Sequence, residues 1–175
     1  MEFKMKYSRV IGISLALMIG LSSIPAANAS VRAPVTKPLL ASYNFVGKTV
    51  IGKSFTGLSL EGKPTVLWFW APWCTVCRGE SPDLRALSQS FKGKINLVGV
   101  AGLGPVKDMK GFIKDTNTGN FLHLADVSGE IWNHFQIVSQ PSFVFISKSG
   151  VASRIVGAIS KSELFAIAKD LIKKT

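Results

Sequence analysis

Six consecutive residues, Thr65-Val66-Leu67-Trp68-Phe69-Trp70, carry no charge, and Ala71-Pro72-Trp73 then turns the chain into Cys74-Thr75-Val76-Cys77. A strand with one face in water alternates polar with apolar residues, whereas an unbroken apolar run rich in β-favouring side chains needs cover on both faces. The run is therefore expected as the central strand of a sheet with layers packed on either side. Period-2 alternation sends Trp68 and Trp70 to one face of that strand, where they are expected as core.

The flanking pattern agrees with such a sheet. From Phe45 to Leu60, short apolar runs broken by Gly47, Gly52 and Gly57 predict strands or a hairpin. Leu84, Leu87 and Phe91 lie at helical spacing, so a helix is expected from Cys77 to about Phe91, kinked at Pro82. A strand from Ile95 to Ala101 follows, then the turn Gly102-Leu103-Gly104-Pro105 and a helix from Val106 to about Lys114. Phe121 to Leu124 is expected as a short strand and Gly129 to Phe135 as a short helix. Ser142 to Ile146 and Val151 to Val156 form a hairpin across Lys148-Ser149-Gly150. Ser160, with Glu163 three residues on, caps a last helix ending near Lys174, with Leu164, Ile167, Ala168 and Leu171 inward. Early α/β alternation closed by a hairpin and a helix predicts a mixed sheet covered by helices.

At 175 residues, 47% of them hydrophobic, the chain can bury the core of one domain. Its first 29 residues have the form of an export signal: basic Lys4, Lys6 and Arg9, an apolar stretch from Val10 to Leu21, and Ala27-Asn28-Ala29 before Ser30. The apolar stretch is short for a membrane span, which needs about 20 residues. Residues 30–42, with Arg32, Pro34, Lys37 and Pro38, are expected as a linker, and residues 43–175 as the domain. A net charge of +11 is spread over scattered lysines without interleaved exposed aromatics, which excludes a nucleic-acid site in favour of a solvated basic surface. No pattern points to a stable oligomer, so a monomer is expected.

The two cysteines are the only ones in the chain. In an exported protein, stability must then come from packing and not from a disulfide framework. Placed where a buried strand hands over to a helix, Cys74 would sit at the helix N-terminus, where unpaired N–H groups and the helix dipole favour its thiolate. It would attack or leave in disulfide exchange, with Cys77, one turn further in, resolving the mixed disulfide. Half of a zinc site with His123 and His134, or a purely structural disulfide, is the competing reading. Against zinc, the His-x10-His spacing is atypical and no second cysteine pair exists.

The stretch from Phe69 to Pro82, ending Cys77-Arg78-Gly79-Glu80-Ser81-Pro82, resembles the active site of exported thioredoxin-like proteins of the TlpA, ResA and DsbE type. It is also similar to the secreted Dsb-like disulfide oxidoreductases of Gram-positive bacteria. The resemblance implies an α/β thioredoxin fold, a mixed central β-sheet flanked by helices with an N-terminal hairpin extension. It implies a thiol–disulfide oxidoreductase with no bound cofactor and no metal, because the dithiol carries the two electrons. Cys74, Cys77, Glu80 and Pro141 would be catalytic. Trp73, Thr75, Val76 and Gln140 would bind substrate, and Thr75-Val76 would tune the reduction potential.

Gln140-Pro141 matches the family's cis-proline, whose preceding peptide would pair with substrate backbone. Glu80, on the helical face of Cys77, would handle its proton through a water. Cytosolic thioredoxins carry a buried Asp where this chain has Trp68, and that absence weighs against a general reductant. The expected function is a disulfide-forming oxidase of secreted or cell-surface proteins, extracytoplasmic and served by a membrane redox partner. The alternative is a reductant for specific targets such as apocytochrome c, and a third reading is a redox-inert binding module.

Overall fold

The computed structural model describes residues 39–40 and 43–173. The expected export signal and most of the expected linker lie outside the described residues. In chain order the elements are β1 (Leu39–Leu40), β2 (Val46–Lys48), β3 (Ser54–Thr56), a 3-10 turn (Gly57–Leu60), β4 (Thr65–Trp70), α1 (Thr75–Ser90) and β5 (Asn96–Ala101). They continue with α2 (Val106–Asp115), β6 (Leu122–Ala125), α3 (Glu130–His134), β7 (Ser142–Ile146), β8 (Val151–Val156) and α4 (Lys161–Lys173).

The main sheet has the order β1-β8-β7-β4-β5-β6. β4, β5 and β6 run parallel, while β7, β8 and β1 add antiparallel pairings on the other side of β4. β4 thus lies inside the sheet and every one of its residues is buried. Its alternation splits two cores. Val66, Trp68 and Trp70 pack with Leu84 and Leu87 of α1, Phe112 of α2 and Leu164 of α4. Leu67 and Phe69 pack on the opposite face with Trp132 of α3, Phe135 and Tyr43. The six-residue apolar run is the sequence signature of that double burial.

β2 and β3 form the expected N-terminal hairpin as a separate two-stranded sheet, tied to the main sheet's edge by a bridge from Thr49 to Leu124. β1 falls within the stretch expected as linker. It is held there by pairing with Val151 and Ala152 of β8, a partnership made by tertiary structure and without a local signal. α1 begins at Thr75, two residues earlier than the apolar spacing suggests, because its first turn is built on the cysteine motif. Pro82 lies inside α1, which runs on to Ser90 although proline supplies no N–H. At α4, Glu163 N–H donates to Ser160 Oγ (3.2 Å), the expected N-terminal cap.

Candidate active site

Three short links hold the dithiol at the end of β4. Cys74 N–H donates to Ala71 O (3.1 Å), which closes the turn through Pro72 and Trp73. Cys74 is the N-cap of α1, with an extended backbone, and its Sγ accepts from Cys77 N–H (3.0 Å). Arg78 N–H then donates to Cys74 O (3.1 Å), beginning the helical ladder. Cys74 and Cys77 are joined in a disulfide with their Cα atoms 5.3 Å apart. Cys74 is 5% exposed and Cys77 fully buried, so an incoming group can reach only the first sulfur.

Exposed apolar side chains flank the motif. Trp73 is 61% exposed, and Val76 and Leu103 are exposed beside it in sequence and by contact. Trp73 Nε1–H donates to Leu103 O (2.9 Å), which anchors the exposed indole to the loop after β5. Leu103 has a left-handed backbone (φ 55°). The glycines on either side of it have no space for a side chain: a Cβ on Gly104 would lie 2.6 Å from Pro72 Cγ, and one on Gly102 2.7 Å from Trp132. Sequence reasoning read this segment only as a turn. Its Gly-Leu-Gly-Pro composition was the available signal, but the partner that gives it a role, Trp73, is thirty residues away.

The Gln140–Pro141 bond is cis. The register of β7 against β4 pairs Ser142 with Phe69, which sets Pro141 abreast of Trp70 at the dithiol end of the sheet. Pro141 O accepts from Gly157 N–H (2.9 Å), joining this loop to the segment that leads into α4. Thr75 is exposed at the start of α1 and Gln140 is half-buried.

Glu80 lies one turn after Cys77 and is 8% exposed. Its Oε2 accepts from Trp68 Nε1–H (3.3 Å) and its Oε1 from Ile159 N–H (3.2 Å). Burial pushes its carboxyl up to about 7, with Asp83 adding to the rise and the two N–H donors opposing it. Trp68 carries no acid, as its sequence position shows, yet the side chain at that position holds a carboxylate supplied by α1. The buried acid missing from β4 is thus delivered from the neighbouring helix.

His123 is buried on β6, with Nε2 donating to Thr118 O (3.0 Å), and burial lowers its pKa to about 4. His134 ends α3, where its ring packs on Phe45 and Phe135. The structure brings neither histidine to the cysteines as a ligand set, and among the described residues no group of three His, Cys, Asp or Glu side chains converges on a metal position. A groove of about 1090 Å³ between the β2–β3 hairpin and the start of α2 contains none of the predicted site residues, so the chemistry is assigned to the dithiol and not to the cavity. No described helix is long and apolar enough to cross a membrane.

Residues 41–155 match the AhpC/TSA family. The chain is 34% identical over 157 residues to the soluble secreted antigen MPT53 of Mycobacterium tuberculosis, covering 88% of this chain and 84% of that one. It superposes on MTB DsbF, solved in mixed oxidised and reduced forms, with a TM-score of 0.72 at 39% identity, covering 74% of this chain and 96% of the other. A secreted Mycobacterium tuberculosis disulfide oxidoreductase homologous to E. coli DsbE is similar at a TM-score of 0.69 and 34% identity, covering 73% and 96%.

Proposed function

The chain belongs to the AhpC/TSA family and is a thioredoxin-fold thiol–disulfide oxidoreductase, and from that premise we propose that it forms disulfides in secreted or cell-surface proteins outside the cytoplasm. Cys74 is the exchanging sulfur, Cys77 its partner, Glu80 the proton-handling group and Pro141, with Gln140, the rest for substrate backbone. Trp73, Thr75 and Val76 form the exposed rim that substrate meets.

In this reading a substrate thiolate attacks Cys74 Sγ. A substrate–Cys74 bond forms, the Cys74–Cys77 bond breaks, and the electron pair leaves on Cys77 Sγ. Glu80, about half protonated near neutrality, supplies that sulfur's proton through a water. A second substrate thiolate then attacks the substrate sulfur and expels Cys74 as thiolate. The substrate dithiol is oxidised, the protein's disulfide is reduced, and a membrane partner removes the two electrons.

The observation that carries the oxidising direction is the N–H of Cys77 directed at Cys74 Sγ at the N-terminus of α1. A donor and a helix dipole aimed at this sulfur stabilise its thiolate, and stabilising the reduced form makes the disulfide the stronger oxidant. Export of relatives such as MPT53 supports the compartment, where disulfides persist.

The reducing alternative draws its support from Glu80. A buried carboxylate beside Trp68 supplies the proton acceptor that a resolving thiol needs, so the absence of Asp at position 68 no longer weighs against a reductant. Equilibrating the protein with glutathione buffers and counting alkylated thiols separates the two. A potential near about −120 mV is expected for the oxidase, whereas one near or below about −270 mV replaces it with the reductant.

A further inference from the structure

Trp68 and Trp70 project from the same face of β4 with their rings stacked 5.7 Å apart, and both are fully buried. Their polar ends differ. Trp70 Nε1–H has no hydrogen-bond partner among the described residues, while Trp68 Nε1–H donates to Glu80 Oε2. Glu80's other oxygen accepts from Ile159 N–H, in the loop before α4. Asp83 of α1, the charged group acting on Glu80, is paired with Lys161 of α4 at 3.5 Å, and the Trp68 ring also faces His123 of β6, whose burial lowers its pKa to about 4 and keeps it neutral above that pH. The two N–H groups, one from β4 and one from the α4 loop, are therefore what holds the Glu80 carboxylate.

We infer that Trp68 is a positioning residue for disulfide exchange, its indole N–H fixing the Glu80 carboxylate one turn from Cys77 and setting the pH at which that carboxyl gives or takes Cys77's proton. The bond has a direction. An N–H donor stabilises the ionised carboxylate and not the acid, so removing it moves ionisation to higher pH. Ile159 N–H alone would then hold the group. The indole also fixes which oxygen faces β4, since its ring is locked between Trp70, Phe112 and Phe121. This inference rests on the reading of Cys74 and Cys77 as the exchanging pair and of Glu80 as the group serving Cys77.

The test has two parts that fail separately. In the oxidised wild-type protein, the Trp68 indole ¹⁵N–¹H signal, assigned by its loss in Trp68→Phe, should shift with a midpoint near 7 and become flat in Glu80→Gln. That measurement involves no exchange chemistry, and a wild-type indole signal that is flat from pH 5 to 9 overturns the inference even if Trp68→Phe does not fold. The second part is the rate at which a small dithiol opens the Cys74–Cys77 disulfide, divided by the dithiol's thiolate concentration. This normalised rate should step down across the Glu80 midpoint as the acid that meets Cys77 is lost.

In Trp68→Phe the step should move up by about one pH unit, and in Glu80→Gln and in the double variant it should be absent. A structural role alone would change the absolute rate and leave the step in place, which refutes the positioning role. An indole that titrates in a protein with no step at all refutes Glu80 as the proton-handling group and, with it, the role assigned to Trp68 in exchange.

Discussion

The two sulfurs differ in access by a single helical turn. Cys74 has a small opening to solvent beside the exposed Trp73 ring, and Cys77 has none. In the exchange proposed above, that difference gives attack and departure at the surface to Cys74 and resolution from within to Cys77. In reduced Cys77→Ser, mixing with a disulfide-containing peptide should leave a stable adduct on Cys74, visible by mass spectrometry under non-reducing conditions, because no thiol remains to displace the peptide. Reduced Cys74→Ser should accumulate little. Adducts on Cys77 instead would reverse the assignment of nucleophile.

Elements whose stability is local were legible in the sequence. β4, β7 and β8 fall on the predicted residues, since β4 and β7 are apolar runs and β8 is joined to β7 across the turn at Lys148-Ser149-Gly150. α4 begins after the predicted Ser160 cap. What escaped was built by contacts between distant residues. β1 is two residues long and exists through β8. The depth of Glu80 follows from donors at positions 68 and 159, so its spacing from Cys77 alone could not separate a solvated glutamate from a buried one.

Gly99 on β5 shows the same dependence on distant partners. It pairs with Trp68, and a Cβ there would overlap His123 Nδ1 and lie 2.8 Å from Trp70 Nε1. Both neighbours are rigid rings inside the core, not flexible chain ends. Gly99→Ala should lower unfolding stability by about 3 kcal/mol, at the upper end of what overpacking costs. Urea denaturation measures it, and a loss below about 1 kcal/mol would mean that the sheet opens easily between β5 and β6.

On the scale of the whole molecule, the ion pairs among the described residues do little for stability: Arg78–Asp115 is solvent-exposed and Lys161–Asp83 partly so, and both are long, at 3.6 and 3.5 Å. Among the described residues, two groups buried in one aromatic layer, Glu80 and His123, are expected to dominate the response to pH between about 4 and 7, with the Trp68 ring in contact with both. Glu80 rises from 4.5 to about 7 on folding, so the folded protein holds a proton that the unfolded chain has released between those values, and stability falls as pH rises through that window. His123 drops from 6.5 to about 4, so the unfolded chain holds the extra proton and stability rises with pH between 4 and 6.5.

Each shift corresponds to about 3 kcal/mol, and the two slopes oppose each other across the shared range. Wild-type stability should accordingly change little from these groups between pH 4.5 and 6.5, and then fall slightly through pH 7 to about pH 8 as Glu80 finishes ionising. Glu80→Gln removes one side of the balance. Its amide can accept from only one of the two N–H donors, which offsets its stability at every pH, so the slope and not the absolute value is the readout. Urea melts of the oxidised variant should show stability climbing by about 3 kcal/mol from pH 4 to 6.5, the full His123 contribution laid bare. A variant as flat as the wild type over that range would mean that His123 keeps its ordinary proton affinity despite its burial.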